Sequence, residues 1–213
     1  MSDLLAQIVP LALAAAISPV LFLLQLNTLT SERPLARGSA LTAGAAVVLI
    51  IGSSLGVALG GTGFSDRETL QAIISLGFGI LLMLLGLRAL LKPPKPKEPD
   101  PNPKPPSPRR SFVGGMGGMA SNITTFALYI PALALIGASD LPLGQRGLAA
   151  LIILLLTLSI VWVPLALAAF VPGASTNYLP RFGAWMNRND RWIQVALGFG
   201  FGIFLAIKGI KGL

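Results

Sequence analysis

Residues 92–110 read KPPKPKEPDPNPKPPSPRR. The stretch holds nine of the chain's seventeen prolines and six cations, Lys92, Lys95, Lys97, Lys104, Arg109 and Arg110. Proline lacks the N–H that a helix needs, and like charges repel along an extended chain, so this segment reads as a solvated tether outside any packed core. Three apolar runs lie on each side of it. They fall near 4–29, 38–61 and 69–91 before the tether, and near 112–138, 146–170 and 191–210 after it. Each reaches the roughly 20 residues a helix needs to cross about 30 Å of hydrocarbon. The chain therefore reads as all-α, a polytopic membrane protein with six transmembrane helices. Residues 1–91 form a first three-helix unit, 92–111 a linker and 112–213 a second three-helix unit.

Composition agrees with lipid as the main solvent. The 213 residues are 54% hydrophobic and 11% charged, with a mean hydropathy of +0.76, outside the range of ordinary soluble domains. The net charge of +8 would suggest nucleic acid as a partner of a soluble chain. Here the cations sit in loops, where they set orientation, and no nucleic-acid partner is expected. The N-terminal run is too long for a signal-peptide core and lacks a basic region before it, so it reads as a retained first helix.

The loops after the first, third and fifth spans share one side of the membrane. Arg33, Arg37, Arg88, the six linker cations, Arg181, Arg188 and Arg191 gather there. Only Arg67, Arg146, Lys208 and Lys211 fall on the other side. Positive loops stay inside, so the reading is a multi-pass protein of the cytoplasmic membrane, with the 92–111 linker cytoplasmic and both termini outside.

The two units align. Gly79, Ile80, Leu82, Gly86, Arg88 and Leu90 match Gly202, Ile203, Leu205, Gly209, Lys211 and Leu213 at a constant offset, and Arg37-Gly38 matches Arg146-Gly147. Three spans per copy is an odd number, so tandem copies would face opposite ways. The expectation is two inverted three-helix repeats, an arrangement in which transporters place their pathway between the copies.

Polar and helix-breaking residues within spans mark candidate function, because lipid satisfies neither side chains nor freed backbone groups. In the first span these are Ser18, Pro19, Gln25 and Asn27; in the fourth, Ser121, Asn122, Thr124 and Thr125. Ser18-Pro19 and Ser121-Asn122 lie at comparable depths in the first span of each unit. Ser18, Pro19, Gln25, Asn27, Ser121, Asn122 and Thr125 are taken as the candidate substrate site. Glycines at four-residue spacing, Gly52, Gly56 and Gly60, Gly114 and Gly118, and Gly198 and Gly202, read as helix-packing seams, and such seams would also allow a homodimer. Trp162 reads as packing inside the bundle, and Trp185 and Trp192 as interfacial anchors.

Much chemistry is excluded by inventory. The chain has no histidine and no cysteine, which removes imidazole relays, thiol redox chemistry and Cys/His zinc sites. All eight acidic residues are placed in loops or at span ends, so no metal site and no cofactor is expected. A hydrolytic serine would lack an activating base, and no phosphate-binding lysine loop occurs; the chain is read as not an enzyme.

Val9-Pro10-Leu11-Ala12-Leu13, then Ala16-Ile17-Ser18-Pro19-Val20 and the stretch from Ser31 to Arg37 resemble the first segment of the peptidoglycolipid-addressing (GAP) family, also called sulfolipid-addressing proteins. Further matches are Pro131-Ala132-Leu133, Ala138-Ser139-Asp140-Leu141-Pro142, Val163-Pro164-Leu165, Arg181 to Trp185, Asn189, Gly202 and Lys208-Gly209. That family is grouped with the LysE transporter superfamily. The resemblance implies a six-helix membrane protein assisting the movement of glycolipids or other envelope components, with lipid as partner and a lipid-like or small-molecule substrate. Many superfamily members carry Asn-Pro in the fourth span and Gly-Pro in the first. This chain has Ser121-Asn122-Ile123 and Ser18-Pro19 instead. Two alternatives stand beside a lipid exporter or flippase working by alternating access. One is export of a small polar metabolite or amino acid; the other is a non-transporting scaffold that recruits a partner complex.

Overall fold

The computed structural model describes residues 1–61, 67–91 and 107–213. Those residues are helical almost throughout: α1 Ser2–Ala16, α2 Pro19–Leu29, α3 Pro34–Gly61, α4 Arg67–Leu91, α5 Pro108–Ala120, α6 Ile123–Ala138, α7 Leu143–Phe170 and α8 Leu179–Lys211. A π-helical turn at Ala174–Tyr178 joins the last two, after Gly173 at φ 74°. Helices α3, α4, α7 and α8 are each long and apolar enough to cross a membrane. The pairs α1/α2, bent by 57°, and α5/α6, bent by 71°, bring the number of spans to six if each pair is counted as one.

The bends have local causes. Pro19 has no N–H and its ring disfavours helical backbone before it; here Ser18 is extended at φ −134°, ψ 99° and α1 stops at Ala16. Ser18 then caps α2, accepting a hydrogen bond from the Leu21 N–H at 3.4 Å, with Pro19 in the first turn. At the second break, Ser121-Asn122, no proline is present. Asn122 does the work instead, its Oδ1 accepting the Thr125 N–H at 3.2 Å and so starting a new helix in a new direction.

Helices α3 and α7 begin a turn earlier than the sequence reading, at Pro34 and Leu143, and two further boundaries differ near the site. Helix α5 begins at Pro108, not at 112, because Ser107 accepts the Arg110 N–H at 3.3 Å and Pro108 is suited to a first turn. Residues 108–111 are therefore helix, and 92–106 of the linker lie outside the described residues. Helix α8 begins at Leu179, not at 191, and contains Arg181, Arg188 and Arg191. Its first turns are amphipathic: Leu179, Gly183 and Met186 are buried while Arg181, Asn187 and Arg188 are exposed, a pattern that window-averaged hydropathy hides.

Close backbone contacts fix the packing. A Cβ on Gly198 would lie 2.6 Å from Gly86 Cα, one on Gly79 2.6 Å from Ala206 N, and one on Gly209 2.6 Å from Leu76 N. The numbers run in opposite senses, so α4 and α8 are antiparallel and nearly touch along their length. A Cβ on Gly202 would meet Met83 and the Gly79 carbonyl on the same seam. Helix α3 carries Gly52 against Phe126 and Gly56 against Leu133 of α6, and Ser53 shares a 2.7 Å hydrogen bond with the buried Tyr129 hydroxyl. Gly60 belongs to α3, but its surroundings lie outside the described residues. Gly114 corrects the sequence reading: nothing lies within 4 Å of a Cβ placed there. Its neighbour Gly115 meets the Leu41 carbonyl instead, paired with Gly44 against Phe112. Gly118 takes the Leu24 and Leu21 side chains. Gly52, Gly56, Gly118, Gly198 and Gly202 are thus filled from within one chain, which leaves none of these five for a second copy.

The core is mostly apolar, with Ile8, Leu11, Leu49, Leu82, Met119, Leu133 and Ile153 fully buried. The outer surface is equally apolar: Ile51, Leu84, Leu151, Ile203 and Ile207 are all exposed. In water such a surface would drive aggregation, whereas in lipid it costs nothing. The protein is a multi-pass, all-helical membrane protein. Trp162 also lies on this outer surface rather than inside the bundle, its Nε1 donating to the Leu155 carbonyl of its own helix at 2.9 Å.

Candidate functional site

The two helix breaks meet. Asn122 Nδ2 donates to Ser18 Oγ at 2.8 Å, across 104 residues of sequence. Because Asn122 Oδ1 must accept the Thr125 N–H, the amide nitrogen is the end that faces Ser18. One residue pair further in, Thr125 Oγ1 donates to the Ala15 carbonyl at 2.9 Å, taking up an acceptor at the end of α1. Ser18 Oγ accepts from both Leu21 N and Asn122 Nδ2. With both lone pairs engaged, its proton remains for a further partner.

Beside this junction lies a cavity of about 210 Å³. Ile17, Ser18, Pro19 and Val20 form one wall, and Gly118 with Ser121 to Thr124 the facing one. Leu85 of α4 and a stripe of α8 complete it, Asp190, Ile193, Gln194 and Leu197. Those four positions fall at i, i+3, i+4 and i+7, one face of a helix, and run roughly 10 Å along the axis at the helical rise. Gln194 Nε2 donates to both oxygens of Asp190 at 2.9 and 3.0 Å. The cavity therefore offers neutral hydrogen-bonding groups from the breaks and one carboxylate from α8.

Of the seven candidate residues read from sequence, Ser18, Pro19, Ser121 and Asn122 line this cavity, and Thr125 sits buried behind Asn122. Gln25 does not line it. Its side chain is fully buried toward α3, Nε2 donating to the Gly38 carbonyl at 3.4 Å, and its Oε1 has no partner among the described residues. Asn27 is also elsewhere, in a cleft where α2 ends. Gln25 and Ser18 were grouped as polar residues of one span, but a capping side chain turns back over the first turn and does not share a helix face with residues further along. Asp190 corrects the sequence reading as well: expected before the last span, it lies inside α8 and lines the cavity. The i, i+4 pair of Asp190 and Gln194 was the available signal.

On the other flank of α2 is an apolar groove of about 320 Å³, lined by Phe22, Ile160, Val163, Pro164, Leu167, Tyr178, Leu179 and Phe182, with Ser159. Phe182 meets Phe22 edge-on at 5.1 Å and stacks on Trp185 at 5.8 Å. Helix α2 thus separates a polar cavity from an apolar groove. Among the described residues no group of three or more His, Cys, Asp or Glu could hold a metal ion.

A family model described as "Sap, sulfolipid-1-addressing protein" matches residues 8–211. No curated protein and no solved structure matches the chain.

Proposed function

The chain belongs to the sulfolipid-1-addressing protein family, and from that premise we propose that it is a carrier, not an enzyme, that moves an amphiphilic lipid or glycolipid across the cytoplasmic membrane. The observation that carries this reading is the 2.8 Å bond from Asn122 to Ser18, which ties together the broken spans of the two three-helix units beside a cavity. Broken helices free polar backbone at membrane depth, and this is tolerated where it lines a cavity. The cavity would hold part of a polar headgroup, and the groove beyond Phe22 would take hydrocarbon. The units act as inverted repeats that rock against each other, exposing the cavity to each side in turn. Reciprocal features support this: each unit opens with a broken span, and the third spans, α4 and α8, pair antiparallel through glycines. The excess of cations near the linker in sequence supports a cytoplasmic linker; a reporter fused within 93–106 that reads out as external overturns that orientation.

A second reading, export of a small polar metabolite, is favoured by one observation. The cavity is small and Asp190 is on its wall, a charge that suits an ammonium-bearing solute. Asp190→Asn in the full chain, reconstituted in liposomes, decides between them. A lipid carrier is expected to keep or raise its rate of headgroup-labelled lipid movement, whereas a carrier of cationic solutes loses its efflux by more than about tenfold. Loss of lipid movement in this variant at unchanged stability would count against the lipid reading.

A further inference from the structure

Where α2 ends and α3 and α5 begin, the linker-side face contains a separate cleft of about 410 Å³. Two guanidinium groups line it, from different helices: Arg37 in the first turn of α3 and Arg110 in the first turn of α5. Arg37 donates through Nε to Ser111 Oγ at 3.4 Å, which orients the group, and among the described residues its terminal nitrogens meet no acceptor. The hydroxyls nearby are committed. Thr28 donates to the Gln25 carbonyl at 2.7 Å and Ser31 to the Thr28 carbonyl at 2.6 Å, so they bind the wall together. Asn27 supplies a neutral amide, and no carboxylate is among the described residues that line the cleft. The floor is apolar, made by Leu24, Leu41 and the open position at Gly114.

We propose that this cleft is a binding site for a sulfate or phosphate ester, with Arg37 and Arg110 holding the oxyanion and Asn27 an adjacent oxygen. Planar guanidinium groups match the geometry of such oxyanions, and the first turns of two helices add positive potential. The apolar floor fits carbon attached to the ester. Leu24 connects this site to the cavity at the helix breaks: its Cδ1 lies 2.8 Å from where a Gly118 Cβ would be, and Gly118 lines that cavity. Leu24 thus lines the cleft and packs against a residue of the cavity wall. The proposal rests on the carrier reading for the identity of its ligand as a lipid headgroup, and on the cleft alone for the oxyanion chemistry.

The test is native mass spectrometry of the full chain in detergent with dioctanoyl phosphatidate, against dioctanoylglycerol, which lacks the oxyanion. The wild type is expected to retain phosphatidate in preference. Arg37→Gln and Arg110→Gln are each expected to weaken retention by about tenfold. Arg181→Gln, an exposed cation on α8 outside the cleft, leaves it unchanged. Where the doubly neutral variant does not fold, the Arg37→Lys/Arg110→Lys pair keeps the charge, loses the forked geometry and is expected to give partial weakening. Competition by millimolar inorganic phosphate assigns the site to soluble oxyanions; no competition assigns it to lipid headgroups. Retention unchanged in the Arg37/Arg110 variants, or weakened equally by Arg181→Gln, overturns the proposal. Phosphatidate binding that depends on both arginines, in a protein that moves no lipid in liposomes, ends the carrier reading and leaves this site standing.

Discussion

Replacing Asn122 with alanine is expected to reduce lipid movement by at least about tenfold and to lower the melting temperature by about 4–8 °C. Two losses combine. The Thr125 N–H at the start of α6 loses its cap, worth about 1 kcal/mol, and Ser18 loses its partner across the interface between units, worth about another 1 kcal/mol in a membrane interior. The activity loss exceeds what stability predicts, because the same amide fixes the direction in which α5 and α6 part. A double-mutant cycle with Ser18→Ala measures the shared part. Ser18→Ala also removes the cap of α2, so if the bond is the connection the double variant is less destabilised than the sum of the two single variants, by a coupling energy between about 0.5 and 3 kcal/mol. Strict additivity in thermal stability would show the two residues to be independent.

The largest effect on folding is expected at Gly198. A leucine there would drive its Cβ to 2.6 Å from Gly86 Cα, 2.7 Å from the Leu82 carbonyl oxygen and 2.8 Å from Gly86 N. All three are backbone atoms, so no rotamer relieves the clash and α4 and α8 must separate along their shared seam. Overpacking typically costs about 1–3 kcal/mol when side chains can give way; here the cost lies at or above that range, and little folded protein should accumulate. Gly200→Leu, two residues away on the same helix, faces open space and is expected to express and melt like the wild type. Size-exclusion recovery and thermal melting of the two variants side by side check this. Equal behaviour of the two would mean that α4 and α8 do not approach as described.

Much of the architecture was legible because a membrane imposes simple rules. Twenty apolar residues suffice to mark a span, and a run of prolines and lysines cannot be one, so the helical, multi-pass fold could be read from hydropathy. Ser18-Pro19 and Ser121-Asn122 were legible as the polar points of their spans, but that Asn122 starts a new helix, and so bends its span without a proline, was not. What averages cannot convey is direction around a helix. Gln25 was grouped with Ser18 although it turns toward Gly38, and Trp162 was placed inside although it faces out. Gly114 and Gly115 are adjacent, yet only the second meets another helix; which one does so depends on where α3 lies. The first turns of α8 were missed for a related reason. Their polar face lowers the mean hydropathy of any window, which concealed both the helix and Asp190 on its inner side.

The account depends on the two bends sharing one space, and the absence of cysteine from the chain allows a clean measurement. Cysteines placed at Ser18 and Asn122 should be joined by a short bis-thiosulfonate cross-linker in native membranes, rapidly and reversibly on reduction, while cysteines at Ser18 and Gly144 should not. Failure of the first pair to cross-link in folded protein, with both thiols reactive to a monofunctional reagent, would contradict it.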